Sequence, residues 1–134
     1  MSEGGMSEVR RETTFPSDPD DVWHAISDER ELERWLGEEV ELDPVEGGEV
    51  RVVTDGEERS GQVEEIDHGS RLVFTWARPG EDDSRVEFTV SPHPDGARLV
   101  VIESAPSTTG PMASAAEWTR SLGALHDAVR LVLA

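Results

Sequence analysis

Residues 84–104 read Ser-Arg-Val-Glu-Phe-Thr-Val-Ser-Pro-His-Pro-Asp-Gly-Ala-Arg-Leu-Val-Val-Ile-Glu-Ser, and this pattern sets the architecture of the chain. Apolar Val86, Phe88 and Val90 alternate with polar residues, which is the period of two of a half-buried β-strand. Pro-Asp-Gly at 94–96 is a turn signal, and a second apolar segment follows it. The pattern therefore predicts two antiparallel strands joined by a hairpin.

The same succession of short strands and turns extends back to residue 38. Turn signals recur every eight to sixteen residues, at Gly47-Gly48, Asp55-Gly56, Asp67-His68-Gly69 and Pro79-Gly80. Because no helical pattern separates them, we expect consecutive strands to pair as antiparallel hairpins. The predicted strands lie near residues 38–43, 49–54, 59–67, 71–78, 84–91 and 97–104.

The N-terminal part adds one strand and two short helices. Val9 to Phe15 reads as a strand, and Asp18 followed by Pro19 is a typical helix start. Asp28 is a second N-cap candidate, with Gly37 as the expected stop of that helix. Residues 1–8 are expected to be a disordered lead-in to a single domain, residues 9–134.

A long helix is predicted beyond Pro111, after a loop at residues 105–111. Its apolar positions recur at helical spacing, and they are Trp118, Leu122, Leu125, Val129 and Val132. The half-apolar strands need a cover, and this helix is the largest element that could provide one. We therefore expect an α+β fold: a curved seven-stranded antiparallel sheet wrapped around the C-terminal helix, with two short helices between strands 1 and 2.

Composition limits the function. The 134 residues carry 12 Arg and no Lys against 30 acids, a net charge of −18, which disfavours nucleic acid and anionic membranes as partners. The absence of Cys excludes disulfides and thiolate chemistry. The lack of Lys, Asn and Tyr suggests a high-GC bacterial genome, and the acidic N-terminus with no long apolar run predicts a cytoplasmic protein.

Residues 15–36, Phe-Pro-Ser-Asp-Pro-Asp-Asp-Val-Trp-His-Ala-Ile-Ser-Asp-Glu-Arg-Glu-Leu-Glu-Arg-Trp-Leu, resemble the opening of activator-of-heat-shock-protein-ATPase-like domains. These domains belong to the SRPBCC superfamily, also called START-like, Bet v 1-like or helix-grip proteins. Two later marks agree with the resemblance: Leu72 with Trp76, and Trp118 with Leu122 and Leu125. The sequence departs from the pattern at Glu29, where Pro is common, and at Glu117, where Gly is common.

The resemblance implies a cavity between the sheet and the long helix, used across the superfamily for lipids, polyketides and other apolar molecules. It does not imply an activator role, since the chain has no room for the additional chaperone-gripping domain. Residues expected to line the cavity are Trp35, Val50, Val52, Phe74, Trp76, Phe88, Trp118, Leu122, Leu125 and His126. The same large residues would also serve simply as the core of a small domain.

No motif in the sequence indicates catalysis or metal binding. The four His residues lack H-x-H or H-E-x-x-H spacing, and no G-x-S-x-G is present. We therefore predict no catalytic residue, no metal and no cofactor. An enzyme would need an inward acid or base, for which His126, Glu87 and Glu103 are the candidates.

The preferred hypothesis is a ligand-binding domain that holds an apolar or amphipathic small molecule without covalent chemistry. Residues 105–111 and the segment around Gly47-Gly48 would control access to the cavity. One alternative is a cyclase, dehydratase or hydrolase that uses the same cavity. Another is a protein-interaction or chaperone-linked adaptor module, and a weak homodimer is compatible with any of the three.

Overall fold

A computed structural model describes the backbone of residues 5–133 and the side chains of residues 5–129. One seven-stranded antiparallel sheet has the order β1-β7-β6-β5-β4-β3-β2. The predicted α+β helix-grip architecture is confirmed. The elements in chain order are β1 (Met6–Phe15), α1 (Pro19–Ser27), α2 (Glu29–Leu32), β2 (Glu39–Leu42), β3 (Glu49–Thr54), β4 (Glu57–Asp67), β5 (Arg71–Trp76), β6 (Ser84–His93), β7 (Gly96–Pro106) and α3 (Ala115–Leu133).

Strand pairing extends two strands beyond their predicted starts. β1 begins at Met6, because its ladder with β7 continues to the pair Met6 and Pro106. Of the expected lead-in 1–8, residues 1–4 lie outside the described residues. β4 begins at Glu57, because Asp55 and Gly56 both have positive φ, 53° and 78°, and form a two-residue hairpin turn.

The two short helices begin where their caps predict. The Asp18 carboxylate accepts a hydrogen bond from the backbone N–H of Asp20, and Asp28 caps α2 in the same way. However, α2 ends at Leu32 and not at Gly37. Gly37 instead allows close approach to β3, since a Cβ there would lie 2.7 Å from Cγ1 of Val52.

The core lies between the sheet and α3. The predicted stripe on α3 is buried at Trp118, Leu122, Leu125 and Val129, while the side chain of Val132 lies outside the described residues. Five aromatic side chains, which we call the aromatic cluster, meet in this core with ring centroids 5.5 to 6.1 Å apart. They are Trp35, Phe74, Trp76, Phe88 and Trp118. Within residues 5–133, no helix is long and apolar enough to cross a membrane.

The sheet is irregular where β4 meets β5. Their register shifts between Val63 and Glu65, which marks a β-bulge. Just before it, Gly61 lies so close to β5 that a Cβ would overlap the carbonyl oxygen of Thr75. This close approach brings the start of β4 against the end of β5, where the candidate site is found.

Replacing Gly61 by Ala should lower the free energy of unfolding by about 2 kcal/mol, because backbone atoms of β5 would have to move. The matched control is Gly123→Ala on α3, where a Cβ meets nothing within 4 Å. That control should raise stability by about 0.5 to 1 kcal/mol, since Ala is the better helix former. Urea unfolding measures both values. Equal stability of the two variants would contradict the close approach of β4 and β5.

Candidate functional site

A cleft of about 690 Å³ opens beside the first half of α3. Its other walls are residues 33–38 after α2, the turn between β3 and β4, and the neighbouring ends of β4 and β5. More than half of its lining residues are polar or charged. The lining comprises Glu33, Arg34, Trp35, Leu36, Gly37, Glu38, Thr54, Asp55, Glu57, Arg59, Trp76, Arg78, Ala113, Ser114, Ala116, Glu117, Trp118, Arg120, Ser121 and Ala124.

Three indoles of the aromatic cluster border the cleft, and each is held by a hydrogen bond. Trp35 Nε1 donates to the carbonyl of Ala25 at 2.9 Å. Trp76 and Trp118 both donate to the carboxylate of Glu103, at 2.7 and 2.8 Å. The apolar side of the cleft is therefore fixed in orientation as well as in packing.

Glu103 on β7 is 0% exposed and accepts hydrogen bonds from five donors. Besides the two indoles, these are Ser84 Oγ at 2.6 Å and the backbone N–H groups of Met112 and Ala113 at 3.0 and 3.2 Å. The carboxylate thus joins β5, β6 and β7 to the segment that leads into α3. Such complete pairing is what permits a charged group to be buried.

The charged side of the cleft adjoins the indoles, because Arg59 on β4 lies against Trp76. The Arg59 side chain is 6% exposed, and its guanidinium lies 5.0 Å from the Trp76 ring centroid. Its Nη2 atom contacts carboxylate oxygens of Glu57 and Glu117 at 3.5 and 3.2 Å. Its Nε is buried and has no hydrogen-bond partner among the described residues.

Glu117 also belongs to the cap of α3. Its backbone N–H donates to Ser114 Oγ at 3.1 Å, and its carboxylate accepts from the Ser114 N–H at 3.5 Å. This reciprocal pair is a capping box, Ser-x-x-Glu. The same carboxylate therefore contacts both the start of α3 and Arg59.

Arg78 completes the charged side by binding Glu57. Its Nε lies 2.8 Å from the Glu57 carboxylate. This hydrogen bond is the main reason that the pKa of Glu57 lies below its ordinary value of 4.5, and the charge of Arg59 acts in the same direction. Glu57 thus favours the ionised form while facing two arginines.

Comparison with known proteins identifies the family. The family model described as activator of Hsp90 ATPase homolog 1-like protein matches residues 16–130. The chain belongs to this family. No protein of curated function matches the chain in sequence.

Solved structures of other proteins share the fold of this chain at low sequence identity. Protein MLL2253 from Mesorhizobium loti aligns with a TM-score of 0.82 and 20% identity, covering 92% of this chain and 97% of that one. The AHSA1-like protein from Aeromonas hydrophila aligns with a TM-score of 0.77 and 20% identity, covering 93% of each chain. DynU16, described as a putative protein in the dynemicin biosynthetic locus, gives 0.81 and 24%. The alignment covers 92% of this chain and 47% of DynU16, so the chain spans about half of that structure.

The predicted cavity residues of this AHSA1-like domain divide into those that line the cleft and those that do not. Trp35, Trp76 and Trp118 line the cleft. His126, half-buried further along α3, stacks on Phe15 and lies 2.6 Å from Thr13 Oγ1, outside the lining of the cleft. The others are buried in the core and are not part of this lining: Val50, Val52, Phe74, Phe88, Leu122 and Leu125. Their contact with a ligand stays a prediction.

The three candidate acids and bases do not come together. Glu87 lies on the outer face of the sheet, where Arg71 and Arg85 are each 3.4 Å away. Glu103 is enclosed by its five donors, and His126 is bound to Thr13. None of the three lines the cleft described above.

Among the described residues, one group of potential metal ligands lies outside the H-x-H and H-E-x-x-H spacings. His24, Asp28 and Glu31 have ligand atoms within 4.8 Å of one another at the junction of α1 and α2. The Asp28 carboxylate already accepts two backbone N–H groups as the cap of α2. Asp28 therefore has a structural role as a helix cap.

Sequence reasoning missed the charged side of the cleft. Arg59 has the same strand parity as Val63, which is buried, so alternation along β4 would have placed it inward. Ser114 and Glu117 have the spacing of a capping box, which would have located the start of α3. Neither signal shows which residues of other elements Arg59 and Glu117 contact.

Replacing Glu103 by Gln should destabilise the fold by about 3 kcal/mol, because an amide N–H₂ would face buried donors. The control, Glu12→Gln, removes an exposed carboxylate 3.1 Å from Arg98 and should cost less than about 1 kcal/mol. Urea unfolding followed by tryptophan fluorescence measures the difference. A similar cost for both variants would show that Glu103 is not the centre of a buried network.

The low pKa of Glu57 should depend on Arg78. Carboxyl-detected NMR titration should place the wild-type midpoint below 4.5, and Arg78→Gln should move it up towards that value. Because the folded-state pKa is the lower one, any stability from this pair is present above the unfolded pKa and is lost as the pH falls through the folded pKa. Glu81→Gln, which removes another acid near Arg78, at 3.7 Å, should leave the pKa of Glu57 low. An unchanged midpoint in the Arg78 variant would contradict the assignment.

Proposed function

We propose that this domain binds an amphipathic small molecule in the cleft beside the first half of α3. The observation that carries the proposal is the cleft itself, whose 690 Å³ falls within the range of small-molecule sites. The three oriented indoles, Leu36 and three alanines supply its apolar lining, and four arginines and several acids supply its polar lining. This combination suits a ligand with an apolar body and a polar end.

The mixed lining favours an amphipathic ligand over a wholly apolar one. A purely apolar molecule would displace water from Arg59, Glu57 and Glu117 without replacing its hydrogen bonds, which costs free energy. The interior beneath the cleft is filled by the aromatic cluster. The ligand would therefore lie between α3 and residues 33–38, close to the surface of the domain.

The family and its relatives support a binding role. The fold places a helix over a sheet and leaves a cleft at one end, and fold alone does not choose the ligand. One structural neighbour, DynU16, is described as belonging to a biosynthetic locus, which is compatible with a small-molecule partner for this chain. Four of the five carboxylates that line the cleft, those of Glu33, Glu38, Glu57 and Glu117, already have a partner, which favours binding without chemistry.

Filling the cleft from α3 tests this proposal. Ala116 is exposed and lines the cleft, so Ala116→Trp should occlude it at little cost in stability. Thr119→Trp is the control, because it places the same bulk at an exposed position of α3 that does not line the cleft. The three proteins would be produced in parallel in the organism that encodes the chain and compared by native mass spectrometry.

Wild type and Thr119→Trp should retain a small molecule that organic solvent releases, and Ala116→Trp should lose most of it. Thermal unfolding checks that both variants remain folded. Equal retention by all three proteins, or no retained mass in any of them, would count against binding in the cleft.

A further inference from the structure

From the geometry around Arg59, we infer that the ligand of this cleft carries a carboxylate, which pairs with Arg59 in place of Glu117. The inference rests on the proposed function and adds the chemical class of the ligand. Its starting point is a buried guanidinium with an unpartnered donor at a cleft that is open to solvent.

Arg59 is incompletely paired. A guanidinium presents its donors in a planar fork that matches the two oxygens of a carboxylate. Here both ion pairs of Arg59, to Glu57 and Glu117, use Nη2, and Nε has no partner among the described residues. Nε and Nη2 share one edge of the fork, so one bidentate carboxylate would satisfy both atoms. An unpaired buried donor costs free energy, which a ligand that reaches it recovers.

The carboxylate of Glu117 occupies the position beside Arg59 that the ligand carboxylate would take, and it can be exchanged for the ligand. Its side chain is 33% exposed, and its contact with Arg59 is a single one, at 3.2 Å. If it turned towards solvent, Ser114 Oγ could still accept the Glu117 backbone N–H and hold the start of α3. The first turn of the helix therefore does not depend on the pair with Arg59.

Charge balance favours a monoanion. Exchanging one carboxylate for another leaves the charge next to Arg59 unchanged, with Glu57 still held by Arg78. A phosphate dianion would add negative charge beside Glu57 and would be opposed by the net charge of −18. The indoles of Trp35 and Trp118 border the same cleft, and the exposed side chain of Ala116 adds apolar surface for the body of the acid.

The test uses naphthalene-2-carboxylate, its neutral analogue naphthalene-2-carboxamide, and 2-naphthyl phosphate as probes. Binding to the isotope-labelled full chain is followed by NMR, with the indole signals of Trp35, Trp76 and Trp118 compared with that of Trp23, which does not line the cleft. Wild type should bind the carboxylate about tenfold tighter than the carboxamide, because its charge-assisted bonds to Arg59 outweigh the repulsive net charge. The phosphate should bind more weakly than the carboxylate.

Arg59→Gln and Glu117→Gln should change the preference for the carboxylate in opposite directions. Arg59→Gln should abolish it, while Arg98→Gln, which removes an exposed arginine that does not line the cleft, should preserve it within about twofold. Glu117→Gln should strengthen carboxylate binding several-fold, because Arg59 loses its internal partner and Gln still serves in the capping box. The Glu117 variant keeps the test decisive even if Arg59→Gln does not fold.

The outcomes separate this inference from the proposed function. Equal binding of carboxylate and carboxamide in wild type, or a preference that Arg59→Gln retains, would overturn the carboxylate assignment and leave the cleft as a binding site. Binding of none of the three probes, with no shift at the three indoles, would count against both the inference and the proposed function. A stronger response to the phosphate would also overturn the assignment.

Discussion

The buried carboxylate of Glu103 is the contact on which the organisation of this domain depends. A charged group with no exposed surface is tolerated only when its lone pairs are satisfied, and here five donors converge on it. The donors come from β5, β6, α3 and the segment that precedes α3. Removing one of them would leave part of the charge unpaired, so these elements are held in one mutual arrangement.

The cleft follows from this arrangement. Trp76 and Trp118 are oriented by Glu103, and both border the cleft although each is only 1% exposed. The polar wall begins one residue away, because Glu117 turns towards Arg59 while Trp118 turns towards Glu103. The first turn of α3 thus joins a fully hydrogen-bonded buried acid on one side and an incompletely paired buried arginine on the other.

The negative charge of the chain lies mostly elsewhere. On the outer face of the sheet, individual arginines are surrounded by several acids, as at Arg51 with Glu39, Glu41 and Glu58. Such exposed pairs contribute little stability, and the excess of acids acts as a solvated coat. Residues 105–134 contain two acids and two arginines and are neutral, so the helix that forms one wall of the cleft adds no net charge to it.

Short-range patterns were enough to predict the elements. Alternation and turn residues gave seven strands in the right order, and the caps at Asp18 and Asp28 gave two helix starts, because these signals act within a few residues of the chain. Three element bounds were misplaced because they depend on other elements or on a turn. The end of α2 depends on packing against β3, the start of β1 on pairing with β7, and the start of β4 on the turn before it.

The sequence by itself determined the alternation along the strands, and the strand parity of Glu103 and Arg59 matches that of buried Val101 and Val63. Only Glu103 was named from the sequence as a candidate inward acid. The sequence could not determine what those two charged groups meet. The donors to Glu103 lie 9 to 27 residues away along the chain, and Glu117 lies 58 residues from Arg59. Only the tertiary structure decided that one charge is fully paired and the other is not, because pairing depends on distances between elements, which periodicity within an element does not encode.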